Sequence, residues 1–305
     1  FRPYLTDLLN PQMYPDQRLY PGGPPDRPYD ITGWTLPMQM GVAVDRHTGV
    51  ARPPNDALAP IEWAEPGASV VPTQVSYGFA LDPRANDAFT VVNRLLAAGE
   101  TVFRSDADLD IGDTTWPPGT FVVPASDGTR ERLDAGARDL GLSVAALATR
   151  PTGSLPRLAP PRVGLYRGWG ANADEGWTRL VLEQFEFPHR RLDDEELRQG
   201  ALDAYDVIVL PDASYSRMLT GLGSRAAPPE YTGGMTPRGV SNLYTFVEQG
   251  GTLVTLDSAA ELPIVDFGLP VRDVTTGRRE ADFYVPGALL DLEIDATHPI
   301  GYGMP

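Results

Sequence analysis

Apolar residues fall without a period through the first quarter of this chain and then settle into an alternation of short runs and helical spacings. From Ser76, YGFAL (77–81) reads as a strand, and RANDAFTVVNRLLAAG (84–99) as a helix stopped by Gly99. TVFRS (101–105) and GTFVVP (119–124) read as short strands, GTRERLDAGARDLG (128–141) as a helix and SVAAL (143–147) as a last strand. Together they predict a small α/β domain over 73–150. RPTGSLPRLAPP then marks a linker over 151–161 by its proline and glycine content.

The alternation resumes more strongly in 162–305. RVGLY (162–166) predicts a strand, and DEGWTRLVLEQF (174–185) a helix with Asp174 and Glu175 in the first turn, where the helix dipole favours acids. YDVIVLP (205–211) is the unbroken apolar run of a parallel strand covered on both faces. A Gly/Pro/Ser loop (219–237), the helix RGVSNLYTFVEQGG (238–251) and the strand TLVTL (252–256) follow. The fold class expected is α/β, ending in a doubly wound, mostly parallel sheet whose ligands gather at the strands' carboxyl ends. Residues 1–72, rich in proline and glycine, predict an extended strap. Tyr14, Tyr20 and Tyr29 are spaced to lie on a surface, and WTLPMQMGVAV (34–44) is expected to dock onto a core.

Composition narrows the chemistry. The 305 residues suffice for two domains, and 31 prolines are about twice the usual share. Net charge is −16 and every basic side chain is arginine, which disfavours a nucleic-acid partner. Without lysine there is no Schiff base, Ser–Lys dyad or P-loop lysine; without cysteine there is no disulfide, thiolate nucleophile or thiolate metal ligand. No apolar run approaches the roughly 20 residues of a membrane span. A start at Phe1 and the ending GYGMP lead us to expect part of a longer protein, with its last domain incomplete.

The stretch GGTLVTLDSAAEL (250–262) reads as a buried strand entering a sharp turn, the setting of a nucleophile elbow. Ser258 is its candidate nucleophile. His298 is the candidate base, and Asp266, Asp273, Asp282 and Asp291 lie between them as possible orienters. Leu256, two residues before Ser258, is expected to crowd the turn, whereas Ala260 would fit. Asp212, in LPDASYS (210–216), would put negative charge where an oxyanion must develop. The plainer reading is that Ser258 caps the segment after it.

GWGANA (168–173) matches G-x-G-x-x-A between a strand and a helix, so Gly168 and Gly170 are candidates for a dinucleotide loop, with Asp193 or Asp194 as the ribose acid. Against it, Trp169 is bulky, and Asp174 with Glu175 would repel a pyrophosphate. Asp193 or Asp194 also suits a helix cap. No metal site is expected: His47, His189 and His298 lack ligand spacing, and no H-x-x-E occurs. Trp34, Trp63, Trp116, Trp169 and Trp177 fit a ligand platform or, more plainly, a core.

YDITGWTLPMQMGV (29–42), PPGTFVVP (117–124), DEGWTRLVLEQFEFPHRRL (174–192), DVIVLP (206–211) and HPIGYGMP (298–305) together resemble the region that follows the peptidase domain in long exported bacterial proteins of the zinc carboxypeptidase A-like family. Residues from about 160 onward also resemble a class I glutamine amidotransferase-like domain, a flavodoxin-like α/β sandwich. The first resemblance implies an extracytoplasmic location, a peptidase domain upstream in the same polypeptide as partner, and peptide or cell-wall material as substrate. It also implies zinc held in that upstream domain and no cofactor here. The second places the family's elbow cysteine at Ser258 or Asp257, and its His-x-Glu at His298, which Pro299 and Ile300 follow without a glutamate. A non-catalytic accessory or binding region is therefore expected. The rivals are a serine hydrolase using Ser258 and His298, and a nucleotide-binding module using the Gly168–Gly170 loop.

Overall fold

The structure, a computed structural model, describes residues 2–13, 15–24, 26, 33, 35–46, 71–279, 282–283, 285 and 289–304. They fall in two units: Phe1–Glu65 with Val274–Asp295 and Pro305, and Pro66–Asp273 with Ala296–Met304.

In the first unit, helix α1 (Arg2–Leu9) and the short helix α2 (Leu36–Met40) occupy a segment whose sequence predicts an irregular strap. Pro37 opens α2, and Gly41, at φ 62°, closes it by donating its N–H to the Pro37 carbonyl. Thr35 is buried; its hydroxyl accepts from the Gln12 N–H at 2.8 Å and donates to the Asn10 carbonyl at 3.2 Å. Met38, Met40 and Val42 stay exposed, so the described part of 34–44 does not form a docked core segment. Tyr20 is exposed as well, while Tyr14, Tyr29, Trp34 and Trp63 lie outside the described residues.

The second unit holds two four-stranded sheets. The first is built from β1 (Gly78–Leu81), α3 (Asn86–Ala97), β2 (Phe103–Arg104), the hairpin β3 (Leu109–Ile111) and β4 (Thr114–Trp116), β5 (Phe121–Pro124), α4 (Thr129–Leu140) and β6 (Val144–Leu147). Its order is β2-β5-β1-β6 with every neighbour antiparallel. Side chains alternate between faces along each strand. Phe79, Leu81, Phe121 and Val123 pack with Val91 and Leu95 of α3 and Leu133 of α4, while Ala80 and Val122 pack with Leu109 and Trp116 of the hairpin. The hairpin escapes the sequence pattern because each of its strands is only three residues long and half of those residues are polar. Residues 154–158, a linker by composition, run beside β2: the Arg104 N–H donates to the Pro156 carbonyl and the Leu158 N–H to the Val102 carbonyl. Tyr302 lies on Gly119, and its hydroxyl donates to the Asp106 carbonyl at 3.3 Å. Residues 298–304, grouped by sequence with the later strands, therefore pack beside the antiparallel sheet.

The second sheet contains β7 (Val163–Tyr166), α5 (Ala173–Gln184), β8 (His189–Leu192), α6 (Asp194–Gln199), β9 (Val207–Leu210), α7 (Tyr215–Thr220), α8 (Thr236–Glu248), β10 (Thr252–Thr255) and α9 (Glu261–Asp266). All pairs are parallel in the order β10-β9-β7-β8, so the described residues are mixed α/β with one parallel and one antiparallel four-stranded sheet beside the two-stranded hairpin. Leu192, Ile208 and Leu210 bury one face against Leu197, Met218, Leu243, Phe246 and Leu262. Val163, Leu165 and Val209 cover the other with Leu182 of α5. The direction of winding reverses between β7 and β9, which opens a crevice at their carboxyl ends. Strand β8 has no apolar signature because it is an edge: Arg190 and Arg191 are exposed, as suits a strand that must not recruit another chain.

The loop from α7 to α8 is pinned where Leu222 bridges Gly233. Gly221 sits there at φ 60°, and a Cβ on it would run into the Gly233 carbonyl, whereas Gly223 has open space around it. Gly221→Ala should thus destabilise the chain by about 2 kcal/mol or more, with Gly223→Ala within about 0.5 kcal/mol of the parent. Urea-melt midpoints check this; equal shifts for the two variants would contradict the packing described.

Candidate functional site

Three loops meet at the carboxyl edge of the parallel sheet, after β7 (167–172), β9 (211–214) and β10 (256–260). Strand β10 leads into Leu256, still extended at φ −107° and ψ 131°. Asp257 then swings to φ 47°, and a 3₁₀ turn (Asp257–Ala260) carries the chain into α9. A non-glycine residue in the left-handed region is strained, and such strain marks an elbow. The kink sits on Asp257, one residue before Ser258. Steric demand two residues either side of it falls on Thr255 and Ala259, and Ala259 is fully buried. Leu256 does not crowd the turn as expected, because it is 39% exposed and its bulk meets solvent.

The amide that follows the kink is occupied. The Ser258 N–H donates to Asp212 Oδ1 at 3.1 Å. The Asp212 carbonyl in turn accepts from Asn172 Nδ2 at 3.0 Å, and Asn172 Oδ1 caps α5 by accepting from the Asp174 and Glu175 N–H groups. An acyl-transfer site needs free donors where an oxyanion develops. Here a carboxylate holds one of them.

The candidate base lies elsewhere in the hydrogen-bond pattern. His298 Nδ1 accepts from the Ile300 N–H at 3.3 Å, inside the turn that carries Tyr302 onto Gly119. Among the described residues no hydrogen bond joins it to Ser258. His189 begins β8 opposite Val163, at the amino edge of the sheet, with Nδ1 3.1 Å from the Phe187 carbonyl. His47 lies outside the described residues. Of the possible orienters, Asp266 accepts from the Tyr215 hydroxyl at 3.4 Å and Asp282 pairs with Arg279 at 2.8 Å.

The glycine loop after β7 is shaped by its neighbours. Gly170 sits at φ 102°, where the Arg217 guanidinium packs against it while Nη2 donates to the Trp169 carbonyl at 3.0 Å. Two first-turn amides of α5 are spent on Asn172, and Glu175, nearly buried, pairs with Arg179 at 3.3 Å. Asp193 is the N-cap of α6 in a capping box with Glu196, so its Oδ1 is committed to the Glu195 and Glu196 amides.

The residue that sequence reading paired with it has a different part. Asp194 is 1% exposed, and its Oδ1 accepts from the Tyr166 hydroxyl at 2.8 Å. Its Oδ2 has no hydrogen-bond partner and faces Gly168. Both residues line a cleft of about 520 Å³ at the β7–β9 switch point, together with Trp169, Asp212 and Arg217. Burial pushes the Asp194 carboxyl above the ordinary carboxylate range. The Tyr166 hydroxyl, the Arg198 charge and the Trp169 backbone N–H, which is directed at the carboxyl as a hydrogen-bond donor, oppose that only in part. Burial first, and then the neighbouring Asp194, push the Tyr166 phenol far up, so it remains a donor. The signal was present in sequence as an acid doublet at a helix start: when Asp193 takes the cap, Asp194 becomes the first helical residue and turns inward.

Among the described residues no group of three His, Asp or Glu side chains could hold a metal ion, and no helix is long and apolar enough to cross a membrane. Compared with protein-family models, curated proteins and solved structures, the chain matches none.

A carboxyl with a raised folded-state pKa favours folding most below the ordinary carboxylate range and loses that contribution as pH climbs through the raised range. Asp194→Asn keeps the acceptor for Tyr166 and cannot ionise. Its stability relative to the parent should therefore improve between about pH 4 and about pH 7, measured by urea melts at each pH. A difference that stays flat or reverses would count against a buried, reluctant acid.

Proposed function

We propose that this chain is a non-catalytic accessory or binding region of an exported zinc carboxypeptidase-like protein, and that its parallel-sheet part is a flavodoxin-like, glutamine amidotransferase-like domain that has lost its chemistry. The observation that carries the reading is the Asp212 carboxylate on the Ser258 amide, beside an elbow whose strained position is an aspartate. A tetrahedral oxyanion formed there would meet a negative charge in place of a donor. The strand order, with the elbow after the fourth strand of the sheet in chain order, supports the fold assignment.

On this reading the partner is a peptidase domain upstream in the same polypeptide, outside the cytoplasm, and the material presented to it is peptide or cell wall. Zinc belongs to that domain: this chain has no H-x-x-E, and Nδ1 of both His189 and His298 lies against a backbone group. The switch-point cleft is the binding site. A nucleotide is the less suitable occupant, since the loop's acids and the capped α5 amides oppose a pyrophosphate. The serine-hydrolase alternative requires Ser258 and His298 to meet.

Incubated with activated esters, peptide amides and glutamine, the chain should release no product above the buffer rate, and Ser258→Ala should leave that result unchanged. Turnover that Ser258→Ala abolishes would overturn the reading.

A further inference from the structure

A second cleft, of about 360 Å³, opens beside the antiparallel sheet where α3, β2 and β5 meet residues 158–161 and 299–302. Its walls are apolar: Phe89 and Leu96 of α3, Phe121 of β5, Leu158 and Tyr302, with Phe89 set edge-on to Phe121 at 5.3 Å. Pro83, Pro161 and Pro299 also line it and bring no backbone donor. Asn93 is nearly buried there. Its Nδ2 is spent on the Phe185 carbonyl at 2.8 Å, so it offers the cleft no charge and at most an acceptor.

Charge enters at one place. Among the described residues that line the cleft Arg104 alone is charged, although the whole chain carries −16. Its guanidinium lies 4.9 Å over the Tyr302 ring, and Nη2 makes a long pair with Asp106 at 3.4 Å. Nε is covered and can take no ligand, whereas Nη1 makes no hydrogen bond and is open to solvent. A cation in the wall opposes a cationic occupant, and Asp106 beside it disfavours a doubly charged anion. A peptide would bring several amides to walls with almost nothing to pair them. A single carboxylate on an apolar body suits both the charge and the walls.

We propose that this cleft binds an apolar carboxylate, with Arg104 Nη1 donating to the carboxylate while the aromatic and leucine walls cover the body. The site is separate from the switch-point cleft and goes beyond the reading above. Two kinds of body carry this chemistry, an acyl chain and an aryl group.

Isothermal titration of the full chain with octanoate, octanol, 3-phenylpropionate and 3-phenylpropanol tests it. At least one acid should bind, and its alcohol should bind about tenfold or more weakly, since the alcohol lacks the charge that Arg104 meets. Apolar contact alone would rank the pair the other way, because the alcohol is the more hydrophobic. The pair that shows the difference identifies the body. Arg104→Gln should weaken the acid by a similar factor and leave the alcohol unchanged. Ile300, on the rim of the cleft and 89% exposed, gives a second variant that does not disturb packing. Ile300→Asp adds a negative charge there and should also weaken the acid. No binding of either acid at millimolar concentration, an alcohol that binds as well as its acid, or unchanged acid affinity in the folded variants would overturn the proposal. If Arg104→Gln does not fold, Ile300→Asp and the acid–alcohol pairs decide it. These outcomes are independent of the turnover assay, which bears on Ser258 and the other sheet.

Discussion

Asp212 ties the working edge of the parallel sheet together. Its carbonyl receives the Asn172 side chain and its carboxylate receives the Ser258 amide, so one residue at the end of β9 fixes the loops that follow β7 and β10. Each bond has a structural consequence. The first holds the residue that caps α5 and thereby sets where the glycine loop ends. The second occupies the donor that follows the kink at Asp257, so the same contact that steadies the elbow removes the means of stabilising an oxyanion there.

Strain and unpaired polarity occur at this edge, as they also do away from it at Glu186 (φ 56°), Thr236 (φ 59°), Arg104 Nε and Arg130 Nε. A left-handed aspartate and a buried acid with one free oxygen each oppose folding by about 1–3 kcal/mol, on general grounds. The apolar packing of the second unit is regular: alternating side chains fill both faces of the antiparallel sheet, and a continuous apolar cluster backs the parallel one.

Much of the second unit was legible because its elements follow simple periods. The strands near 162–166, 205–211 and 252–256 announce themselves as apolar runs, and α3, α4, α5 and α8 as helical spacings with glycine or acidic ends. What escaped had a common cause, since the pattern comes from burial and these elements are little buried on one side: β8 is an arginine-bearing edge, and the β3–β4 hairpin has strands of three residues, half of them polar. Antiparallel pairing in the first sheet is likewise invisible to a local reading. At the site, the glycine loop read as a dinucleotide candidate lines a crevice, and that crevice offers acceptors where the dinucleotide motif would need free amides. Of the two elbow positions the sequence left open, Ser258 and Asp257, the positive torsion falls on Asp257, with Ala259 buried beneath the turn.

The central claim is that the Ser258 amide is held by Asp212 and is not free for a substrate. Hydrogen exchange and chemical shift of that single amide, followed by nuclear magnetic resonance in the parent chain and in Asp212→Ala, address it directly. Slow exchange in the parent, with protection lost and the resonance moved in the variant while the amides of β10 stay put, is the predicted result. A Ser258 amide that exchanges as freely in the parent as in the variant would contradict the account.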